Sequence, residues 1–327
     1  MSDLSSLLFP ENEIRIGISQ CLLGSEVRFD GGHKKSRFCT DTLGKYVKYV
    51  PVCPEAGAGL GIPREPIRLV DREAEGIRVR GTRSDDDYTE VLESFTQETV
   101  PKLDHLCGYI FLGKSPSCGM ERVKVYRLNG HLADVRKSGV FAEAIMETYP
   151  ALPTEESGRL NDPVLRESFL TRVFAYSSWQ VMKREGITPG KLIEFHTQYK
   201  PLLMAHNQQA YRDIGAWLAG VNKENIAEKA EEYLPRMMAI LKQPASRKNH
   251  TNALMHLQGY LKKSLSSKER QHLRDTIDQY RTGQIPLIAP LVLMRHLFEV
   301  HGCDYAGNYR YLFPYPEALA MTGEEQR

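Results

Sequence analysis

No run of about 18 consecutive apolar residues occurs in this 327-residue chain, so no membrane-spanning helix is expected. The opening stretch, MSDLSSLLFPENEIRIGIS, has neither a basic leader nor a long apolar segment before a cleavage site, and a cytoplasmic location is the expectation. Cysteine is scarce. The six, at positions 21, 39, 53, 107, 118 and 303, are too few for a disulfide scaffold, and a reducing compartment would keep them as thiols available for metal or catalysis. Charge of one sign is also lacking: 43 Lys and Arg face 41 Asp and Glu, and a net +2 does not by itself argue for nucleic acid. There is no internal repeat or low-complexity tract. With 41% hydrophobic and 26% charged residues the chain has the composition of a globular protein, which excludes general disorder.

The first half is rich in strand signals. IRIGIS, YVKYVPV, IRLV, IRVRG, GYIFLG and VKVYRL are short β-branched or aromatic runs bounded by Gly, Pro or Asp. TEVLESFTQETVPKLD and GVFAEAIMETY carry helical apolar spacing between them. Asn129-Gly130, between VKVYRL and HLADV, signals a hairpin and hence at least one antiparallel pair. The expectation is an α/β N-terminal domain, a mixed sheet with flanking helices, over residues 1–160. The Pro- and Gly-punctuated segment Tyr149 to Pro163 ends the strand signals. Beyond it the apolar spacing is helical throughout, including Leu254, Leu257 and Leu261 on one face, so residues 161–327 are expected to form an all-α domain.

Three cysteines share one local grammar. Cys21 follows IRIGISQ, Cys53 follows YVKYVPV and Cys118 follows GYIFLG by a short loop, so each lies just past the carboxyl end of an expected strand. Those ends face the ligand crevice in open α/β sheets, and three strands could converge three thiols there. Their spacings match no compact zinc pattern. Three thiolates leave a coordination position free on a zinc ion or on one iron of an iron–sulfur cluster; buried, unrelated cysteines are the plainer alternative. Cys39, Cys107 and Cys303 fit packing.

ISQCLLGSEVRFDGGHK, VCPEAGAGLGIPREPIRL and LGKSPSCG resemble the three signature motifs of the bacterial thiouracil desulfidase family. HTQYKPLLMAHN, KNHTNALMHLQGYLKK and IPLIAPLVLMRHL are similar to the domain fused to that module in two-domain members. The resemblance implies a 4Fe–4S cluster on Cys21, Cys53 and Cys118 with one open iron. It implies hydrolytic removal of sulfur from 4-thiouridine in tRNA, giving uridine, with the sulfur captured on that iron. Glu55 in the CPE motif would relay protons, the alternative being a pairing with Arg64 or Arg68. Ser115 matches the family's active-site serine, and Ser115 or Ser117 could instead only cap a turn. Asp30 would orient the pyrimidine or assist proton transfer, or else stabilise its turn. Ser117, Lys114 and Lys34 are candidates for substrate binding, the lysines for a phosphate. AGAGLG lacks the phosphate-loop pattern and reads as an active-site loop.

From Lys242 to Gln284, nine Lys and Arg face three acids. Arg247, Lys248, His250, Lys262 and Lys263 flank the leucine-bearing helix and suit a phosphate backbone; a solvated helix face is the alternative. The partner expected is thiolated tRNA, with no membrane and no obligatory protein partner. Two other functions stand beside this one: a desulfidase of free thiouracil or thionucleotides, and a cluster-bearing RNA sensor without turnover.

Overall fold

A computed structural model describes residues 14–301 and 309–319. The chain divides into two compact units, one running to Phe169 and resuming at Ala318, the other from Leu170 to Glu317.

The first unit is α/β and holds two four-stranded sheets rather than one. In the first sheet β1 (Arg15–Ser19), β2 (Lys48–Val52), β5 (Gly108–Phe111) and β8 (Thr154–Glu156) lie in the order β2-β1-β5-β8, all parallel. Such a sheet is buried on both faces, which suits continuous apolar runs. Ile16 and Ile18 are fully buried, as are Tyr109, Ile110 and Phe111. Each such aliphatic side chain contributes about 1.5–3 kcal/mol by leaving water. The second sheet, ordered β4-β3-β6-β7, is mixed: β3 (Ile67–Asp71) pairs antiparallel with β4 (Ile77–Gly81) and parallel with β6 (Val123–Arg127), and β6 pairs antiparallel with β7 (Leu132–Lys137). Its inner face contributes Leu69, Val79, Val123, Val125 and Ala133, packed with Leu92.

The β6–β7 hairpin forms where Asn129-Gly130 signals it. Two backbone bonds close the loop: the Arg127 amide donates to the His131 carbonyl, the Gly130 amide donates to the Arg127 carbonyl, and Gly130 takes φ +80°. Glycine adopts that left-handed conformation without a Cβ penalty.

Strand β8 contradicts the reading that strand signals end before Tyr149. Thr154-Glu155-Glu156 has neither alternation nor β-branched density, and it becomes a strand because β5 offers an open edge in register, Tyr109 opposite Thr154 and Phe111 opposite Glu156. The division between the two units falls at Phe169/Leu170, inside the helix Pro163–Arg184 and shortly after the segment at which the sequence places the boundary. Helices α1 (Pro54–Gly57), α2 (Thr89–Thr99) and α3 (Val140–Thr148) flank the sheets, and Phe141 of α3 meets Tyr109 edge-on at 6.0 Å between centroids.

Among its described residues the second unit is helical: α4 (Pro163–Arg184) enters it, followed by α5 (Pro189–His206), α6 (Gln208–Leu218), α7 (Ile226–Leu241), α8 (Arg247–Leu261), α9 (Ser267–Arg281) and α10 (Ile288–His301). Side-chain caps start five of them, Asp162 accepting from the amides of Val164 and Leu165 at the start of α4. Thr188, Asn207, Ser246 and Ser266 each accept from an amide of the first turn, and Ser266 with Glu269 forms a capping box. Asn207, in extended conformation, also breaks what reads as one long helix into α5 and α6. Leu254, Leu257 and Leu261 are fully buried. Among the described residues no helix is long and apolar enough to cross a membrane.

Candidate active site

β1, β2 and β5 are neighbours in a parallel sheet, so their carboxyl ends emerge side by side. Ser19 stands opposite Val52 in the register, and Ile18 opposite Ile110. Two residues past Ser19, Cys21 sits in a 3-10 turn whose carbonyl accepts from the amides of Gly24 (3.3 Å) and Lys34 (2.9 Å). One residue past Val52, Cys53 is the extended residue before α1, with Pro54 opening that helix. Cys118 closes the loop after β5, its amide donating to the Ser115 hydroxyl at 3.1 Å. All three line one cavity of about 190 Å³, together with Val27, Phe29 and Leu112 on the apolar side.

Burial governs the thiols. It pushes Cys118 up to about 12, with the Glu55 carboxylate adding to the effect, and Cys21 up to about 11, with Cys53 adding; burial likewise raises Cys53. The three are therefore neutral thiols at pH 7 unless a metal displaces their protons. Beneath them Tyr109, fully buried, has a hydroxyl without a hydrogen-bond partner, and it lies within electrostatic reach of Cys118, Cys53 and Cys21.

Glu55 is fixed from two sides. Arg64 donates to Oε2 from Nε at 3.0 Å and from Nη2 at 2.7 Å, both side chains being largely buried. Oε1 accepts from the Ser117 hydroxyl at 2.6 Å, with Ser115 Oγ at 3.4 Å. Ser115 Oγ also accepts from the amides of Ser117 and Cys118 and stands 3.0 Å from Ser117 Oγ. The two readings of these residues thus coexist: the glutamate pairs with Arg64 and still faces the cavity, and Ser115 caps its turn while lining it. The arrangement is a hydroxyl chain from the cavity wall at Ser115 through Ser117 to a carboxylate.

Three expected contacts are placed otherwise. Asp30 is exposed and outside the cavity lining; its carboxylate accepts from the Gly32 amide at 3.1 Å and from Arg28 Nε at 3.3 Å, the Gly32 bond chiefly lowering its pKa. That is the turn role, taken because Gly31 and Gly32 bring the amide back onto the side chain. Lys34 is exposed and absent from the lining, and it serves the site through its backbone amide on Cys21. Ser117 is fully buried, off the cavity wall and bonded to Glu55, so it supports the carboxylate instead of meeting a ligand. Lys114 is on the wall and exposed. Sequence reasoning did not single out Arg28, Phe29 or Tyr109; the first two immediately precede Asp30 in its motif, and Tyr109 reads as strand core. Cys39 and Cys107 are buried away from the cavity lining, and Cys303 lies outside the described residues.

In the helical unit Lys248, Lys262 and Lys263 are exposed. Arg247 is tied down: its guanidinium donates to the Tyr280 carbonyl and covers that ring at 4.8 Å. His250 corrects the expectation of a basic RNA contact. Burial brings it down to about 4, it is neutral at pH 7, and Nδ1 meets the Tyr311 hydroxyl at 3.0 Å. Among the described residues no three His, Cys, Asp or Glu are grouped as around a single metal ion.

Comparison with known proteins follows this division. Residues 16–157 match the model of the 2-thiouracil desulfurase family, and residues 200–316 match that of a family of unknown function (DUF1722). An uncharacterized protein of Escherichia coli K12, YbgA, is 35% identical over 156 residues, 47% of this chain and 92% of its own length. Another, YbbK of Bacillus subtilis 168, is 31% identical over 109 residues, 31% of this chain and 71% of its own. Among solved structures, the 4Fe–4S-dependent thiouracil desulfidase TudS is 27% identical over 47% of this chain and 98% of its own, with a TM-score of 0.35. Residues 16–157, which carry Cys21, Cys53, Cys118 and the hydroxyl chain to Glu55, are the part of the chain that matches the 2-thiouracil desulfurase family.

Proposed function

We propose that the protein is a desulfidase that replaces the sulfur of a thiolated pyrimidine by oxygen from water, using a 4Fe–4S cluster held by Cys21, Cys53 and Cys118, and that its substrate is 4-thiouridine in tRNA. The observation that carries this reading is the delivery of three thiols, by three adjacent parallel strands, to one cavity that also holds Glu55 and Ser115. The donor set suits the group. It is all sulfur, each thiol can meet a different iron and need not converge on one point, and the unpartnered Tyr109 hydroxyl is a donor in a place where cluster sulfur would accept. When bound, a cluster with three protein ligands offers an open iron to a soft thiocarbonyl sulfur.

The chain's own residues do the rest. Val27, Phe29 and Leu112 keep the cavity walls apolar, and Lys114 and Arg28 give its wall positive charge suited to a nucleotide phosphate. Ser115 is a hydroxyl on the wall able to hold the attacking water, and it is the one linked to Glu55. Its hydroxyl chain passes a proton through Ser117 to Glu55 Oε1, while Arg64 keeps Oε2 occupied and the carboxylate oriented. The balance is hydrolytic: C=S and water give C=O and hydrogen sulfide, with no net redox change. Exposed Lys248, Lys262 and Lys263 support a polynucleotide substrate, and a cavity of base size would take free thiouracil equally.

The test is anaerobic. Protein reconstituted with iron and sulfide is given tRNA containing 4-thiouridine in one arm and free thiouracil in another, and products are quantified by mass spectrometry. Conversion of 4-thiouridine to uridine is expected, lost in Cys118→Ala and lowered about 10²–10⁴-fold in Glu55→Gln. If thiouridine in tRNA survives intact beside a verified cluster while free thiouracil is consumed, the tRNA reading is wrong and the desulfidase stands; if both survive, both fail.

A further inference from the structure

Two adjoining cavities in the helical unit have no part in the chemistry above. The larger, about 400 Å³, lies between α5 and α6, with His196 and Lys200 from one helix and Tyr211, Arg212 and Gly215 from the other. The smaller, about 140 Å³, shares Lys200, Tyr211 and Arg212 and continues to Tyr260 and Tyr309. Together they form one recess of a size that small-molecule sites have.

Three independent features of this recess point to a ligand. His196 is 3% exposed; its Nδ1 meets the Tyr233 hydroxyl at 3.0 Å, and its Nε2 has no hydrogen-bond partner. Buried polar groups are almost always paired, so an unpaired ring nitrogen beside a cavity marks a missing partner. A Cβ on Gly215 would stand 3.8 Å from that nitrogen, and the glycine leaves the wall in front of it bare. The rings of His196 and Tyr211 are parallel to within 8°, with centroids 6.5 Å apart. A base whose edge meets His196 Nε2 in the imidazole plane would therefore lie parallel to the Tyr211 ring. Lys200 and Arg212 border both cavities, and neither forms an ion pair or hydrogen bond with another described residue.

An apolar ligand would leave two cations without purpose, and a bare anion would have no use for parallel rings. We propose that the recess binds a nucleotide, its base stacked on Tyr211 with an edge atom toward His196 Nε2, and its phosphate on Lys200 and Arg212. The same chemistry comes from a free nucleoside monophosphate or from one nucleotide of an RNA chain. The inference does not depend on the cluster.

Calorimetric titration of the full-length protein tests it, with AMP, UMP, adenosine, inorganic phosphate and a six-nucleotide single-stranded RNA as separate probes. AMP or UMP is expected to bind, with adenosine and phosphate each at least about tenfold weaker. Tyr211→Ala, and Lys200→Gln combined with Arg212→Gln, should each weaken nucleotide binding about tenfold or more, and Gly215→Leu should abolish it by filling the recess. The double variant changes only cavity-rim cations and keeps the test valid if a core change disturbs folding, which circular dichroism reports. RNA that binds and is displaced by AMP identifies a chain nucleotide as the ligand; mononucleotide binding that RNA does not disturb identifies the free form. Failure of mononucleotide and RNA alike to bind at about 1 mM, or binding that the double variant and Gly215→Leu leave unchanged, overturns the proposal.

Discussion

At the scale of single residues the site is governed by what each buried polar atom touches. Glu55 has both oxygens engaged, one by Arg64 and one by Ser117, so its position is set before any substrate arrives. Tyr109 is the opposite case, a buried hydroxyl with nothing to bond. Leaving such a group unpaired costs about 1–3 kcal/mol, and Tyr109→Phe should therefore stabilise the metal-free protein by about 1 kcal/mol in urea denaturation followed by circular dichroism. A loss of stability would mean that the hydroxyl has a partner in the metal-free state. The three cysteines are legible in the sequence because each follows a strand, and Glu55 because it follows Cys53. The separate fates of Asp30, exposed on its own turn, and Ser117, fully buried under Glu55, are not, since both are short polar residues in Gly- or Pro-bearing loops.

At the scale of elements the loop between β5 and β6 is held by close backbone contact. A Cβ on Gly139 would stand 2.5 Å from the Ser117 carbonyl carbon and 2.8 Å from the Cys118 amide nitrogen, and backbone at that distance has to move. Gly139→Ala should displace Cys118 and lower the iron retained after anaerobic reconstitution, whereas Gly158→Ala, with open space around its Cβ position, should retain as much as the wild type. Equal iron in the two variants would show that the loop tolerates the shift. The strands from β1 to β7 follow apolar or β-branched runs and are readable for that reason. β8 is not, because a three-residue strand of Thr and Glu exists only through the edge it joins. The helix starts at Thr188, Asn207, Ser246 and Ser266 are fixed by side chains that accept first-turn amides, and the one at Asn207 is hidden because helical spacing runs on through it.

At the scale of the molecule, acid should act first on the helical unit. Burial brings His196 and His250 down to about 4, and His206 is lowered as well. In the unfolded chain a histidine titrates near 6.5, so between about pH 6.5 and 4 the unfolded state binds more protons than the folded one. The stability these groups contribute is complete above that window and is lost as pH falls through it, by about 1.4 kcal/mol per pH unit for each histidine. Both tryptophans, Trp179 and Trp217, belong to this unit, and their fluorescence in urea at pH 7.5 and pH 5 reads it alone. The midpoint should drop at the lower pH and drop less in His196→Gln/His250→Gln; identical pH dependence would place the imidazoles in water. What the sequence by itself determined is local: apolar periodicity, caps, the hairpin glycine and three cysteines after three strands, all set by interactions within a few residues. Strand order is different in kind. Only long-range pairing could set β2, β1 and β5 side by side, drawing positions 21, 53 and 118 to one cavity, and only packing between α5 and α6 could bring His196, Lys200, Tyr211 and Arg212 around a common space.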